Sequence, residues 1–129
     1  MNRTRMLVPL LAAVAALAVA VPAAQAATDW QIGLRHGASF PRATGSAQYQ
    51  AQTGQRELQI EVEHLARLAG KRVYFWANGV RFGSAVVTSR GIAQIDRNTE
   101  LGQSVPKIVH GSRVSAHTHA GTKIAGARF

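Results

Sequence analysis

The sequence predicts one small all-β domain, either a β-sandwich or a partly open barrel of about seven strands. Three observations carry that expectation. Apolar and polar residues alternate with a period of two in "RELQIEVE" and "KRVYFWANG", the spacing of strands with one buried face. Glycine-containing turns interrupt the chain roughly every 8–12 residues, as they do in sandwiches and small barrels. Leu58, Ile60, Phe75, Phe82, Val86, Val114 and Ile124 form an apolar set that a one-layer sheet has no way to cover, so the sheet must fold onto itself.

The first 26 residues stand apart from the fold. "MNRTRM" places Arg3 and Arg5 beside the amino terminus, "LVPLLAAVAALAVAVPAA" is uncharged and almost wholly apolar, and Ala24-Gln25-Ala26 offers small residues at its exit. That is the layout of a secretory signal peptide. An uncleaved anchor is the rival, since the apolar run approaches a spanning length, but Pro22 and the small-residue exit favour cleavage. There is no Arg-Arg pair for twin-arginine export and no cysteine for a lipid anchor. The expected location is therefore secreted, periplasmic or cell-envelope-associated, with no stable transmembrane span after cleavage. Taking Arg3 and Arg5 from the 15 basic residues leaves 13 against 6 acidic ones, a net charge of about +7. With no cysteine, stability rests on core packing and hydrogen bonds, and thiol chemistry is excluded.

Residues 27–41, "ATDWQIGLRHGASFP", read as a leader or as one edge strand through Trp30, Ile32 and Leu34, ahead of a β-domain over 42–129. "SAQYQA" opens the strand series before Thr53-Gly54. Strands are expected near residues 44–51, 56–63, 72–77, 80–87, 91–96, 112–118 and 122–129. In the second of these, Leu58, Ile60 and Val62 share one face and Glu57, Gln59, Glu61 and Glu63 the other. Helix is its rival, since Leu58, Val62, Leu65 and Leu68 also fit helical spacing and the composition suits a helix. The unbroken alternation over 57–63 decides for a strand, with one short turn over "HLARLAG" ended by Gly70. Asn78-Gly79 between "KRVYFWA" and "VRFGSAVV" specifies a tight hairpin, because both positions accept positive φ. Ser89-Arg90-Gly91, His110-Gly111 and Ala120-Gly121 mark the later turns.

"GQRELQIEVEHL", "LAGKRVYFWANGVRFGSAVV", "RNTELGQSVPKIVHGSRVSA" and "AGTKIAGARF", in that order, resemble an uncharacterised family of short exported bacterial all-β proteins. The resemblance spans roughly residues 44–129. It implies an all-β exported domain and no particular activity, and it implies no fixed histidine where His117 and His119 stand.

The chemistry-bearing residues are few. The carboxylates are Asp29, Glu57, Glu61, Glu63, Asp96 and Glu100, and three of them alternate along one strand face, which reads as a solvated row. No nucleophile elbow, phosphate loop, dinucleotide fingerprint or His-Glu-x-x-His is present. Arg and Lys are spread along both halves with no basic run longer than Lys71-Arg72, and export removes the usual nucleic-acid targets. Arg72, Tyr74 and Trp76 share the face opposite Val73 and Phe75. Exposed, they form an aromatic platform beside a cation; covered, the two rings are core. His117 and His119 also share a strand face. They read most simply as solvated, and alternatively as two ligands of a metal site that still lacks a third donor. No cofactor is expected. The reading is an exported non-enzymatic β-domain that binds an anionic envelope polymer, a carbohydrate or a protein, with no nucleic-acid partner. Its alternative is a histidine-based metal-binding protein or a cryptic enzyme. Protein recovered outside the producing cell is expected to begin at Ala27. Intact-mass measurement checks this, and a mass that retains Met1–Ala26 overturns soluble export.

Overall fold

A computed structural model describes residues 27–129; the expected signal segment, 1–26, lies outside the described residues. The described chain forms eight strands: β1 Thr28–His36, β2 Thr44–Gln52, β3 Gln55–Glu63, β4 Arg72–Ala77, β5 Val80–Val86, β6 Ala93–Asn98, β7 Arg113–His117 and β8 Lys123–Arg128. Single 3-10 turns follow β3 at Ala66–Leu68 and β6 at Thr99–Leu101. The first falls where the sequence predicts one short turn. The strands form one antiparallel sheet in the order β5-β4-β7-β8-β1-β2-β3-β6. The sheet curls until β5 and β6 face each other across an unpaired seam, giving a nearly closed barrel with Greek-key crossings between β3 and β4 and between β6 and β7.

Alternation drives the closure. Leu58, Ile60 and Val62 on β3, Val73, Phe75 and Ala77 on β4, Val114 and Ala116 on β7, and Ile124 on β8 all point inward and are buried. Leu65, Val87, Val105 and Ile108 cap the core from the loops. Their partners one residue away face out, so a slip of one residue in any pairing would turn the buried set toward water.

Two joints complete the barrel by different means. The strand expected as a leader or edge, β1, is hydrogen-bonded on both sides. It pairs with β2 from Thr28↔Ala51 to Leu34↔Gly45 and then with β8 through Arg35↔Gly126 and His36↔Ala125. Gly37 extends the second contact by donating to the Ile124 carbonyl at 2.7 Å. Away from this short ladder the rings of Trp30, Tyr49 and Phe129 meet with centroids 6.2–6.4 Å apart. At the opposite seam Arg97, half-buried, donates from Nη2 to the Phe82 carbonyl at 2.8 Å, and Ile95 occupies the space that a Cβ on Gly83 would need. An inward-pointing charge on an edge strand also discourages pairing with other chains.

One part of the expected core moves outward. Strict alternation along 80–87 places Phe82 and Val86 on the same inner face. The register between β4 and β5 shifts between Phe75 and Trp76, pairing Phe75 with Gly83 and Trp76 with Arg81 and leaving Phe82 unopposed. Beyond that bulge the inner positions are Gly83 and Ala85, and Val86 faces out at 49 % exposure while Val87 is buried. Phe82 still packs partly against the core.

The Asn78-Gly79 hairpin forms as predicted, with φ of 49° and 77°. Asn78 also accepts from the Arg113 backbone N–H through Oδ1 at 3.1 Å, tying the turn to β7. Gly91 shares the positive φ, at 80°, but its surroundings differ. A Cβ at Gly79 would meet open space, whereas one at Gly91 would lie 2.5 Å from the Ala66 backbone nitrogen. Gly79→Ala is therefore expected to cost about 1 kcal/mol of backbone strain. Gly91→Ala adds a backbone clash, raising the loss to about 3 kcal/mol. Urea denaturation of both variants checks this, and equal midpoints would remove the proposed contact between the Gly91 turn and Ala66.

Candidate functional site

The inner face of β4 is filled by Val73, Phe75 and Ala77, so pleating sends Arg72, Tyr74 and Trp76 outward. The choice between core and surface for the two rings is thereby decided: both are half-buried on the outside of the barrel. Their flanks come from neighbouring strands. Arg72 donates from Nη1 to Ser84 Oγ on β5 at 3.0 Å. The Arg81 guanidinium, also from β5, stands 5.0 Å from the Tyr74 ring centroid, within the range of cation–π attraction.

On the other flank lie the two histidines. The rings of Tyr74 and His119 are 5.7 Å apart, with the phenol oxygen 3.1 Å from His119 Nδ1. The Trp76 and His117 rings meet edge-on at 5.9 Å. The aromatic platform and the histidine pair, separate candidates in sequence, thus form one patch, because β7 pairs with β4 through Tyr74↔His117 and Trp76↔Ser115. The histidines do not converge. β7 ends at His117 after a register shift at Ala116/His117, and each imidazole engages a different ring. Among the described residues no group of three or more His, Cys, Asp or Glu side chains is placed to hold a metal ion. His64 lies elsewhere, with Nδ1 2.9 Å from Thr44 Oγ1.

One contact has the outline of nucleophile activation. His117 Nε2 is 2.8 Å from Ser115 Oγ, and its Nδ1 is 3.3 Å from the Gly121 carbonyl. The carbonyl only accepts, so Nδ1 carries the hydrogen and Nε2 accepts from the hydroxyl. Ser115 and His117 sit two apart on one outward strand face, however, in the lining of an open groove that water enters. The arrangement serves equally to fix the His117 ring beside Trp76.

Charge is segregated around the barrel in a way the linear sequence hides. Strands β4, β5, β7 and β8 carry Arg72, Arg81, Arg113, Lys123 and Arg128 and contain no Asp or Glu. The carboxylates sit on β3, on β6, at the far end of β1 and in the second 3-10 turn. The residues missed in the sequence, Arg113, Lys123, Arg128 and Arg35, come beside Trp76 only through the β4–β7, β7–β8 and β8–β1 pairings. Alternation alone already turned Arg113 outward; nothing local identified its neighbours.

The opposite face is acidic. Burial foremost, then the neighbouring Asp96 carboxylate, lifts the Glu57 carboxyl above the ordinary glutamate range. Gln59 bridges the two, donating from Nε2 to Glu57 at 2.9 Å and to Asp96 at 3.0 Å. Glu61 is raised as well, chiefly by its hydrogen bond with Glu63, then by burial and the Glu63 charge. The folded protein therefore holds these protons more tightly than the unfolded chain. Their stabilisation is full below the ordinary glutamate pKa and is lost as pH rises through the raised values. Glu61→Gln is expected to raise stability near pH 7 by less than about 0.5 kcal/mol, since the pair is solvent-screened, and to change little near pH 3. Urea midpoints at the two pH values check this; a loss of stability at neutral pH would contradict it.

No protein-family model, curated protein or solved structure matches the chain, and what it binds is read from this face alone.

Proposed function

We propose that this chain is an exported, non-enzymatic β-domain that binds an envelope polymer or a protein partner through the outer face of β4. The observation that carries the reading is the placement of Tyr74 and Trp76. Two large rings stand half-exposed beside Arg72 and Arg81 on a barrel whose interior is already filled by other side chains, Tyr49 and Phe75 among them. Leaving such area in contact with water is unfavourable unless a partner covers it. Aromatic and Arg side chains are also the types that dominate recognition surfaces. Positive charge on the same side favours anionic material at the cell surface through long-range attraction. Export rests on the signal-like pattern of residues 1–26. No helix of the described residues is long and apolar enough to cross a membrane.

Trp76→Ala tests the reading. Retention on isolated envelope material is expected to fall by about 2 kcal/mol, roughly thirtyfold, while the urea midpoint shifts by less than about 1 kcal/mol. Severe unfolding with no separate loss of binding would return Trp76 to a structural role and overturn the proposal.

A further inference from the structure

Beside the ring patch, the outer surfaces of β4, β7, β8 and the end of β1 enclose a groove of about 750 Å³. Antiparallel register places Trp76, Ser115, Gly126 and Arg35 in one row across its four strands. On β7 and β8, Arg113 stands directly opposite Arg128. Like charges facing each other across a ladder destabilise a sheet, and neither strand supplies a carboxylate to offset them. Lys123 adds a third cation. A Cβ at Gly126 would fall 2.8 Å from Lys123 Cε and 3.2 Å from its Nζ, so glycine at this position is what lets the lysine lie along the groove. Four cations from three strands therefore border one concave strip, with a half-exposed indole on its wall.

We infer that this groove binds an acidic polysaccharide, its anionic groups held by Arg113, Arg128, Lys123 and Arg35 and one sugar ring stacked against Trp76. The inference rests on the reading of the neighbouring ring face as a binding surface and names its ligand class. The unrelieved Arg113–Arg128 pair is a local rule broken at a cost, which is characteristic of functional sites. A polyanion removes that cost when it binds. The indole adds what pure charge attraction lacks, a flat apolar surface for the C–H face of a sugar. Single-stranded nucleic acid fits less well, because it uses successive large aromatic platforms along a basic groove, and Trp76 is the one indole or phenyl-type ring in this lining, beside the imidazoles of His36 and His117. A lipid surface fits less well too: the strip is concave, and peripheral membrane binding relies on protruding apolar side chains. The acidic β3 face on the far side of the barrel orients the molecule, turning the basic groove toward negatively charged material.

Titration of the purified full chain with a polygalacturonate oligomer of about ten residues tests the inference, with neutral dextran and inorganic polyphosphate as the other probes. Polygalacturonate is expected to bind with an affinity that falls steeply with added salt, and dextran is expected not to bind. Arg128→Glu is expected to weaken polygalacturonate at least about tenfold while the urea midpoint holds or rises, because the introduced carboxylate faces Arg113. Opposite movement of affinity and stability separates loss of the site from misfolding. Trp76→Ala is expected to weaken polygalacturonate and leave any polyphosphate binding unchanged. Unaltered affinity in Arg128→Glu overturns the inference, and so does polyphosphate binding as tightly as polygalacturonate with no effect of Trp76→Ala. Failure to bind polygalacturonate also overturns it. If Trp76→Ala still abolishes retention on envelope material in that case, the binding role of the face stands and only the ligand class has failed.

Discussion

The pairing of Arg35 and His36 on β1 with Gly126 and Ala125 on β8 is a short ladder, yet every other feature of the molecule depends on it. In the strand order it is the link between β5-β4-β7-β8 and β1-β2-β3-β6. At the other meeting of these halves, β5 and β6 have no ladder, and a side-chain bond from Arg97 to the Phe82 carbonyl spans the gap. Backbone approach at the first joint is close: a Cβ on Gly37 would collide with the Lys123 carbonyl. With that joint made, the two halves enclose a common interior and alternation along each strand acquires an inside and an outside.

Closure also determines the chemistry of the surface. Apart from Arg97 at the seam, the buried inward set is apolar on both halves, so the contrast between them lies in what faces out. On β3 the outward row is Glu57, Gln59, Glu61 and Glu63; burial and Asp96 on β6 raise the Glu57 carboxyl, and the hydrogen bond with Glu63 raises that of Glu61. On β4, β7 and β8 the outward rows carry Arg, Lys, His and two large rings. Each face bears like charges side by side, and neither contributes to stability by doing so. The acidic face eases its repulsion through the amide of Gln59, which donates to both Glu57 and Asp96. The basic face has no such relief within its own strands, which is the asymmetry that makes it the candidate for a charged ligand.

Much of this fold is legible before any coordinates. The inward residues of β3, β4 and β7, the Asn78-Gly79 hairpin and the short turn after β3 all follow from period and turn chemistry. Where reading residue by residue goes astray, the cause is non-local. Val86 leaves the core because a bulge opposite Phe75 and Trp76 advances the register of β5, and no local pattern announces a bulge. Trp30, Ile32 and Leu34 alternate as a strand should, but β1's neighbour on one side is the last strand of the chain. Its two-sided pairing is therefore invisible to local inspection. The candidate site was half legible: Arg72, Tyr74 and Trp76 share a face by pleating, as do His117 and Arg113.

By itself, the order of residues determined the strand type of most segments and which side chains share a face, since both follow from a period of two and from where the backbone accepts positive φ. It could not determine what lies beside a given face, because lateral neighbours are set by register between strands far apart in the chain. Only the tertiary structure brought His117 to Trp76 and His119 to Tyr74. It alone opposed Arg113 with Arg128 and placed Arg35 at the end of the same row. Scattered cations became a basic groove because hydrogen bonding between strands, and not proximity in sequence, decides which side chains share a surface.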